Sequence, residues 1–186
     1  MLDELIALLE RKRYVNKFNL LVFCGYNNGP YSSGADLDDI NSLIKKKKIH
    51  TYHKKINKII NLIENINLPL ISFIRKYCYG AGLILALQSD ILFADKQTKF
   101  CIPASKLKIE IPSKQINNMK KKINVNFLKD ILITSRIFSG EEAYNFGIIN
   151  YLINSKYYID EQKKLLNMLS KNKKEVIKYY LENLKG

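Results

Sequence analysis

The 186-residue sequence contains no tryptophan, two histidines and three cysteines. The histidines, His50 and His53, have no carboxylate partner close to them in sequence, so a histidine-rich metal centre is excluded and no metal site is predicted. The cysteines, Cys24, Cys78 and Cys101, are odd in number, widely spaced and each set in an apolar stretch. This pattern is typical of buried free thiols in a reducing compartment.

Long apolar runs are also missing from the chain. None approaches the roughly 20 residues that a membrane-spanning helix needs, so no membrane span is expected. The opening residues, MLDELIALLERKR, place acids where a signal peptide carries basic side chains, which predicts a cytoplasmic protein. Hydrophobic residues make up 47% of the chain and charged residues 26%, the proportions of an ordinary globular protein, and the length fits one domain.

Arginine is scarce although the chain is strongly basic. The net charge is +14, from 31 Lys+Arg and 17 Asp+Glu, yet nearly all the basic residues are lysines. Proteins that read bases or grip phosphates favour arginine, because its planar fork pairs bidentately. The lysine excess accompanies an excess of isoleucine and asparagine, which share A/T-rich codons. We therefore predict no nucleic-acid partner, and a basic nucleic-acid-associated protein stays open as an alternative suggested by net charge alone.

The apolar pattern alternates between strands and helices. Continuous apolar runs predict buried strands, and apolar residues at i, i+3, i+4, i+7 predict helices. The predicted strands are 19–24, 70–74, 91–94, 100–102 and 148–153. The predicted helices are 2–9, a long helix before Pro69 with solvated lysines at 45–48, 81–88, one begun by the capping box at Ser139–Glu142, and 160–184. The lysine-rich stretch 106–126 is assigned only a short helix. This alternation predicts an α/β fold with a largely parallel sheet.

Two short glycine-containing turns are the best candidates for a functional site. The first, SSGADL at residues 32–37, leads from a strand toward a helix, and the second, YGAG at 79–82, joins another strand to another helix. A helix start presents unpaired backbone N–H groups and favours negative charge, and small residues let a ligand approach the backbone. Close packing alone also explains each turn. Neither is a phosphate-binding Walker loop, because the Gly-Lys-Ser/Thr ending is missing.

In this order, the two turns and their surroundings resemble the crotonase superfamily, the enoyl-CoA hydratase/isomerase family. The resemblance runs through SSGADLDDI, LPLISFIRKYCYGAGLILALQSDILFADKQTKFCIPASKLKI and FLKDILITSRIFSGEEAYNFGIINYL, and covers about residues 2–153. It implies a crotonase-like spiral of ββα units with a C-terminal helix, divided into a core at 1–153 and a C-terminal helical segment at 154–186. It also implies an acyl-CoA thioester as substrate, no cofactor beyond that coenzyme A, and a homo-oligomer, a trimer or hexamer.

The resemblance assigns roles to residues of both turns. The backbone N–H groups of Ala35 and Ala81 would hold the thioester oxygen in an oxyanion hole, where one donor contributes roughly 3 to 4 kcal/mol in other enzymes. Alanine at position 81 keeps the N–H but requires an ordinary backbone angle. The residues expected around the substrate are Gly34, Asp36, Leu37, Tyr79, Gly80, Gly82, Ile84 and Ala104.

The sequence departs from the family where its hydratases carry two glutamates. These positions hold Ile84 and Ala104, which cannot carry a proton, so two-glutamate hydration is not supported. Glu110 is the nearest replacement acid, although a solvent-facing charge is its simpler interpretation. Capping of a turn is likewise the simpler role for Asp36 and Asp38.

The resemblance also makes the chain short at both ends, with the opening strand and hairpin absent and one helix, 160–184, in place of a longer helical region. The predicted function is an acyl-CoA-processing enzyme of the enoyl-CoA hydratase/isomerase type. A catalytically inert acyl-CoA-binding protein or subunit remains the alternative.

Overall fold

A computed structural model describes residues 1–11 and 18–184 of the chain. Over these residues it contains nine α-helices, seven strands and two short 3₁₀ turns at Tyr26–Asn28 and Ser155–Tyr157. The helices are α1 (Leu2–Glu10), α2 (Leu37–Lys45), α3 (Ile49–Glu64), α4 (Ala81–Ala86), α5 (Ser113–Lys120), α6 (Val125–Thr134), α7 (Gly140–Asn145), α8 (Tyr158–Ser170) and α9 (Lys174–Leu184). The strands are β1 (Leu21–Cys24), β2 (Leu70–Ile74), β3 (Tyr77–Tyr79), β4 (Ile91–Asp95), β5 (Lys99–Cys101), β6 (Phe138–Ser139) and β7 (Tyr151–Ile153).

The strands form two sheets. The first is fully parallel in the order β1-β2-β4-β7, and the second has the order β3-β5-β6, with β3 and β5 parallel and β6 antiparallel. The chain twice adds one strand to the first sheet, then one to the second, and then a helix: β2-β3-α4 and β4-β5-α5. These are the ββα units that the family resemblance implied.

The central parallel sheet is buried because its middle strands are apolar at nearly every position. All five residues of β2, LISFI, are buried, as expected for a strand covered on both faces. Helix α3 packs on the core through the stripe Ile56, Ile59, Ile60 and Ile63, each less than 8% exposed. Burying one such side chain contributes about 1.5–3 kcal/mol, so this stripe fixes the position of α3.

Several predicted elements have different bounds in the structure. The long helix before Pro69 is two helices, α2 and α3, because the chain turns at Lys47, whose φ is +56°. The C-terminal helix 160–184 is also two helices, separated at 171–173. The strand predicted at 148–153 is shorter and consists only of β7. Ile148 and Ile149 belong to the connection before β7, and their side chains are buried there, which explains why the apolar pattern extends beyond the strand. Helix α6 and strand β3 were not predicted.

The first strand differs from its prediction in burial. Strand β1 was expected to be buried on both faces, but it lies at the edge of the first sheet and its side chains are only partly covered. Its last residue, Cys24, is consequently exposed, whereas Cys78 and Cys101 are buried free thiols as predicted.

Two further sequence expectations concern local features. The capping box is present: Ser139 Oγ accepts from the Glu142 amide at 3.0 Å, and the Glu142 carboxylate accepts from the Ser139 amide at 2.9 Å. Among residues 1–11 and 18–184, no helix is both long and apolar enough to cross a membrane.

Candidate functional site

The two glycine-containing turns lie side by side. Ser32 forms an isolated parallel bridge with Cys78, in which the Ser32 amide donates to Tyr77 O at 3.2 Å and the Tyr79 amide donates to Ser32 O at 2.9 Å. The two segments therefore run in the same direction and in register. Ala35 lies three residues after Ser32, and Ala81 lies three residues after Cys78, so the two alanines occupy equivalent positions beyond the bridge.

Glycine is required where the segments touch. Gly80 has φ +55° and ψ −126°, a conformation that residues with a side chain rarely adopt. A side chain on Gly82 would overlap both Cβ and Oγ of Ser32, so only a hydrogen atom fits there. Ser32 Oγ also accepts from the Gly34 amide at 3.1 Å, which holds the first turn in place.

Ala35 and Ala81 each lie at the entrance to a helix. Ala81 is the first residue of α4 and has no positive φ, as the alanine at this position requires. Ala35 precedes Asp36, whose carboxylate caps α2 by accepting from the amides of Asp38 at 2.9 Å and Asp39 at 3.1 Å. Within the described part of the chain, neither the Ala35 nor the Ala81 amide donates a hydrogen bond to a protein acceptor. Both are therefore available to a ligand.

Two cavities meet at these turns, and we call them the inner and the outer cavity. The inner cavity measures about 100 Å³ and is bounded by both turns, by α3 and by residues 102–111. The outer cavity measures about 500 Å³, and Gly34, Ala35 and Ala81 line both. Most residues expected around the substrate line the inner cavity: Gly34, Leu37, Tyr79, Gly80, Ile84 and Ala104. Asp36 and Gly82 line the outer cavity.

Glu110 lies apart from the other candidate residues. Its side chain is exposed, and it borders neither cavity, although Ile109 and Ile111 on either side of it both line the inner one. Alternate residues of this segment therefore face opposite directions, and the carboxylate at 110 is on the solvent side.

The inner cavity is apolar where a family hydratase carries its acids. Ile84, 5% exposed, and Ala104 both line it, and no carboxylate does so among the described residues. Its titratable side chains are Tyr52, His53 and Tyr79. Burial raises the pKa values of the two tyrosines and lowers the pKa of His53, so all three side chains are neutral at pH 7.

Four polar residues of this cavity were not predicted as site residues: Ser33, Tyr52, His53 and Gln115. The sequence tests His53 only as a metal ligand, and Gln115 falls in the lysine-rich stretch 106–126, for which it predicts only a short helix. Gln115 is 1% exposed, and its Nε2 donates to Asn57 Oδ1 at 3.0 Å on α3. Helical spacing places His53 one turn before Asn57, but sequence alone does not show that this turn borders a cavity.

The remaining reactive side chains have structural roles. Asp90 accepts from the Leu70 amide at 2.7 Å and so joins β2 to the segment before β4. Cys78 is fully buried, and burial raises the pKa of its thiol well above the ordinary value, which disfavours the nucleophilic thiolate. No group of three or more metal-ligating side chains occurs within the described ranges.

Comparison with known proteins identifies a matching family, similar sequences and similar structures. A sequence profile described as enoyl-CoA hydratase/isomerase matches residues 1–185. Mitochondrial methylglutaconyl-CoA hydratase from Mus musculus is 28% identical over 125 residues, which cover 67% of this chain and 40% of that protein. Carnitinyl-CoA dehydratase from Salmonella arizonae is 27% identical over 105 residues, 56% of this chain and 40% of that protein. The match thus spans about two fifths of the length of these curated relatives.

The solved structures show the same fold. A protein from Hyphomonas neptunium described as belonging to the enoyl-CoA hydratase/isomerase family has a TM-score of 0.89 at 22% identity, covering 100% of this chain and 72% of that one. This likeness confirms the predicted crotonase-like α/β fold.

Proposed function

Because the chain belongs to the enoyl-CoA hydratase/isomerase family, we propose that it is an acyl-CoA-processing enzyme that stabilises a thioester enolate. The backbone N–H groups of Ala35 and Ala81 form its oxyanion hole. The observation that carries the proposal is the parallel pairing of the two turns beside a shared cavity, in which neither amide has an acceptor among the residues that the structure describes. Preorganised amides in an apolar cavity stabilise the charge that develops on the thioester oxygen.

The two cavities suggest how the substrate lies. The inner cavity is apolar and takes the acyl group, and the wider outer cavity takes the pantetheine side of the thioester. A cavity of about 150 Å³ holds benzene, so 100 Å³ fits an acyl tail of about four carbons. The substrate class is therefore a short-chain acyl-CoA, and coenzyme A enters as part of that substrate.

The reaction differs from two-glutamate hydration. Ile84 and Ala104 give the inner cavity neither an acid nor a base. Positioned acid–base groups contribute roughly 10² to 10⁴ in rate each, so crotonyl-CoA hydration is expected far below that of a hydratase with both glutamates. Ala104→Glu places a carboxylate in the cavity and should recover part of the hydration rate. Rapid hydration by the unmodified protein would contradict the assignment of these two positions.

A single backbone change tests the oxyanion hole. Ala81 is the first residue of α4, a position where proline is well tolerated, and Ala81→Pro deletes its N–H. We expect the variant to lose at least 100-fold in exchange of the α-hydrogens of butyryl-CoA with solvent, measured by mass spectrometry in D₂O. The matched control is Val125→Pro at the first residue of α6, which borders neither cavity and should leave the exchange rate unchanged.

A binding comparison gives an independent readout. S-butyl-CoA is a thioether that lacks the carbonyl oxygen of butyryl-CoA. The unmodified protein should prefer the thioester in calorimetry, and Ala81→Pro should remove that preference without preventing thioether binding. Equal affinity of the unmodified protein for both ligands would contradict carbonyl recognition by these amides.

The second candidate function is a catalytically inert acyl-CoA-binding protein or subunit. It is favoured by the lack of any carboxylate among the described residues of the inner cavity. Tight binding of butyryl-CoA without α-hydrogen exchange would select it. Failure of any acyl-CoA to bind or to raise the thermal midpoint at millimolar concentration would contradict both functions.

We also propose a homo-oligomer, a trimer or hexamer, in the cytoplasm. Helix α9 has no buried residue, and Val176, Tyr179 and Tyr180 on it are 46–61% exposed. Apolar surface of this kind is commonly covered by a second copy of the chain. Sedimentation equilibrium should give three or six copies, and a monomer at micromolar concentration would contradict the assembly.

A further inference from the structure

The inner cavity contains one side chain that can exchange a proton near neutral pH. Its described lining is otherwise apolar or carries hydroxyl, amide and main-chain groups. Tyr52 and Tyr79 keep their protons because burial raises their pKa values further. His53 is half-buried on the first turns of α3 and shares this cavity with Ala35 and Ala81.

The position of His53 is fixed by the packing of α3. Ile56, in the next helical turn, is 1% exposed and anchors that turn in the core. The ring of His53 packs edge-on against Tyr52, with ring centres 5.9 Å apart. Asn57, four residues after His53, accepts a hydrogen bond at 3.0 Å from Nε2 of Gln115, which lines the cavity. The imidazole thus projects from a fixed helix.

We propose that His53 is the proton-transfer group of this site, taking the α-proton from the bound acyl thioester and returning it. This inference rests on the proposed function, because it requires the thioester oxygen to lie at the two amides. Burial lowers the pKa of His53, which keeps the ring neutral and able to accept a proton at pH 7.

The step balances within the site. The α-carbon–hydrogen bond breaks, and its proton goes to a ring nitrogen of His53. The electron pair of that bond forms the carbon–carbon double bond of the enolate, while the carbonyl pair moves onto the oxygen held by Ala35 and Ala81. The imidazolium then returns the proton to the α-carbon, which gives exchange, or to the γ-carbon of an unsaturated substrate, which gives isomerisation.

The two histidines of the chain provide a matched comparison. His50 lies three residues earlier on the same helix, is exposed and borders neither cavity. We expect His53→Gln to lower α-hydrogen exchange of butyryl-CoA in D₂O by at least 100-fold, with its affinity within about threefold of the unmodified protein. His53→Phe keeps the ring contact with Tyr52 and should lose exchange equally, whereas His50→Gln should exchange at the unmodified rate.

A second measurement detects contact without turnover. The two histidines should give two Hε1 signals in the proton NMR spectrum, and His50→Gln assigns them. Adding butyryl-CoA should shift the His53 signal and leave that of His50 in place. An unshifted His53 signal in a saturated complex would overturn the proposal.

The outcomes separate this inference from the proposed function. Exchange by His53→Gln and His53→Phe at the unmodified rate would overturn the role of His53 and leave the oxyanion hole standing. Binding without exchange by the unmodified protein would overturn the role of His53 and select the inert binding function. No binding at all would overturn both. Loss of exchange in both His53 variants with retained binding would support the proposal.

Discussion

Adding one methyl group at Gly82 is expected to disrupt the pairing of the two turns. The new Cβ would overlap Cβ and Oγ of Ser32, and Cβ cannot move without moving the backbone of the first turn. Forcing a methyl group into such a site costs about 1–3 kcal/mol. The better helix propensity of alanine offsets less than about 1 kcal/mol of this. The net cost is therefore up to about 3 kcal/mol, and at roughly 2–4 °C per kcal/mol for a chain of this size Gly82→Ala should lower the thermal midpoint by up to about 12 °C.

A double-variant cycle shows whether Ser32 is the cause. Ser32→Gly removes the atoms that the new methyl would meet, at the cost of the hydrogen bond from the Gly34 amide, about 1 kcal/mol. Combining both changes should therefore cost about 1–3 kcal/mol less than the sum of the two single variants in urea denaturation. Costs that add to within about 0.5 kcal/mol would refute the steric argument, because independent sites behave in that way.

Three further predictions follow from other contacts. Ile84→Ala should cost about 2–5 kcal/mol in urea denaturation and enlarge the inner cavity, so that calorimetry shows hexanoyl-CoA gaining affinity over butyryl-CoA. Ser139→Ala should cost about 0.5–2 kcal/mol by removing the cap of α7, and Ser139→Thr should retain most of that stability. Burial alone would raise the pKa of Glu142, but hydrogen bonds from the Ser139 amide and from Arg136 outweigh it and lower that pKa. The stability difference between Glu142 and Glu142→Gln should therefore be full at pH 7 and decrease as the pH falls below the ordinary glutamate pKa of 4.5 toward the lowered pKa of the folded state. A difference that grows on acidification would contradict the assignment.

Much of the fold could be predicted because its signals are local. The continuous apolar run LISFI and the isoleucine stripe of α3 each reflect the period of their own element, and both are confirmed. The capping box was likewise predicted from four consecutive residues and is confirmed. The break at Lys47 was missed because a single residue with positive φ leaves no trace in an apolar pattern. Strand β3 was missed because only Cys78 of its three residues is buried, so it forms no continuous apolar run between Lys76 and the turn at Gly80.

The candidate site was harder to predict from sequence, because it depends on tertiary contacts. The turns at 32–37 and 79–82 are visible as small-residue motifs, but their pairing depends on the Ser32–Cys78 bridge, a tertiary contact. His53 belongs to a polar stretch of α3, and nothing in its neighbours indicates a cavity. Gln115 reaches that cavity from a segment with little apolar periodicity. Such residues are identified only when separate parts of the chain are brought together.

The bridge between the two turns also has a consequence for the order of folding. The Gly80 amide donates to Cys101 O at 2.8 Å, so the second turn is completed only after β5 has joined β3. The first turn then needs contacts across a long stretch of intervening chain, and closing such loops delays their formation. During synthesis on the ribosome, residues 31–101 must all have emerged before both amides can face one cavity. The proposed acyl-CoA binding would therefore begin only late in folding, when both turns are complete. Its onset during synthesis measures when this part of the domain has folded.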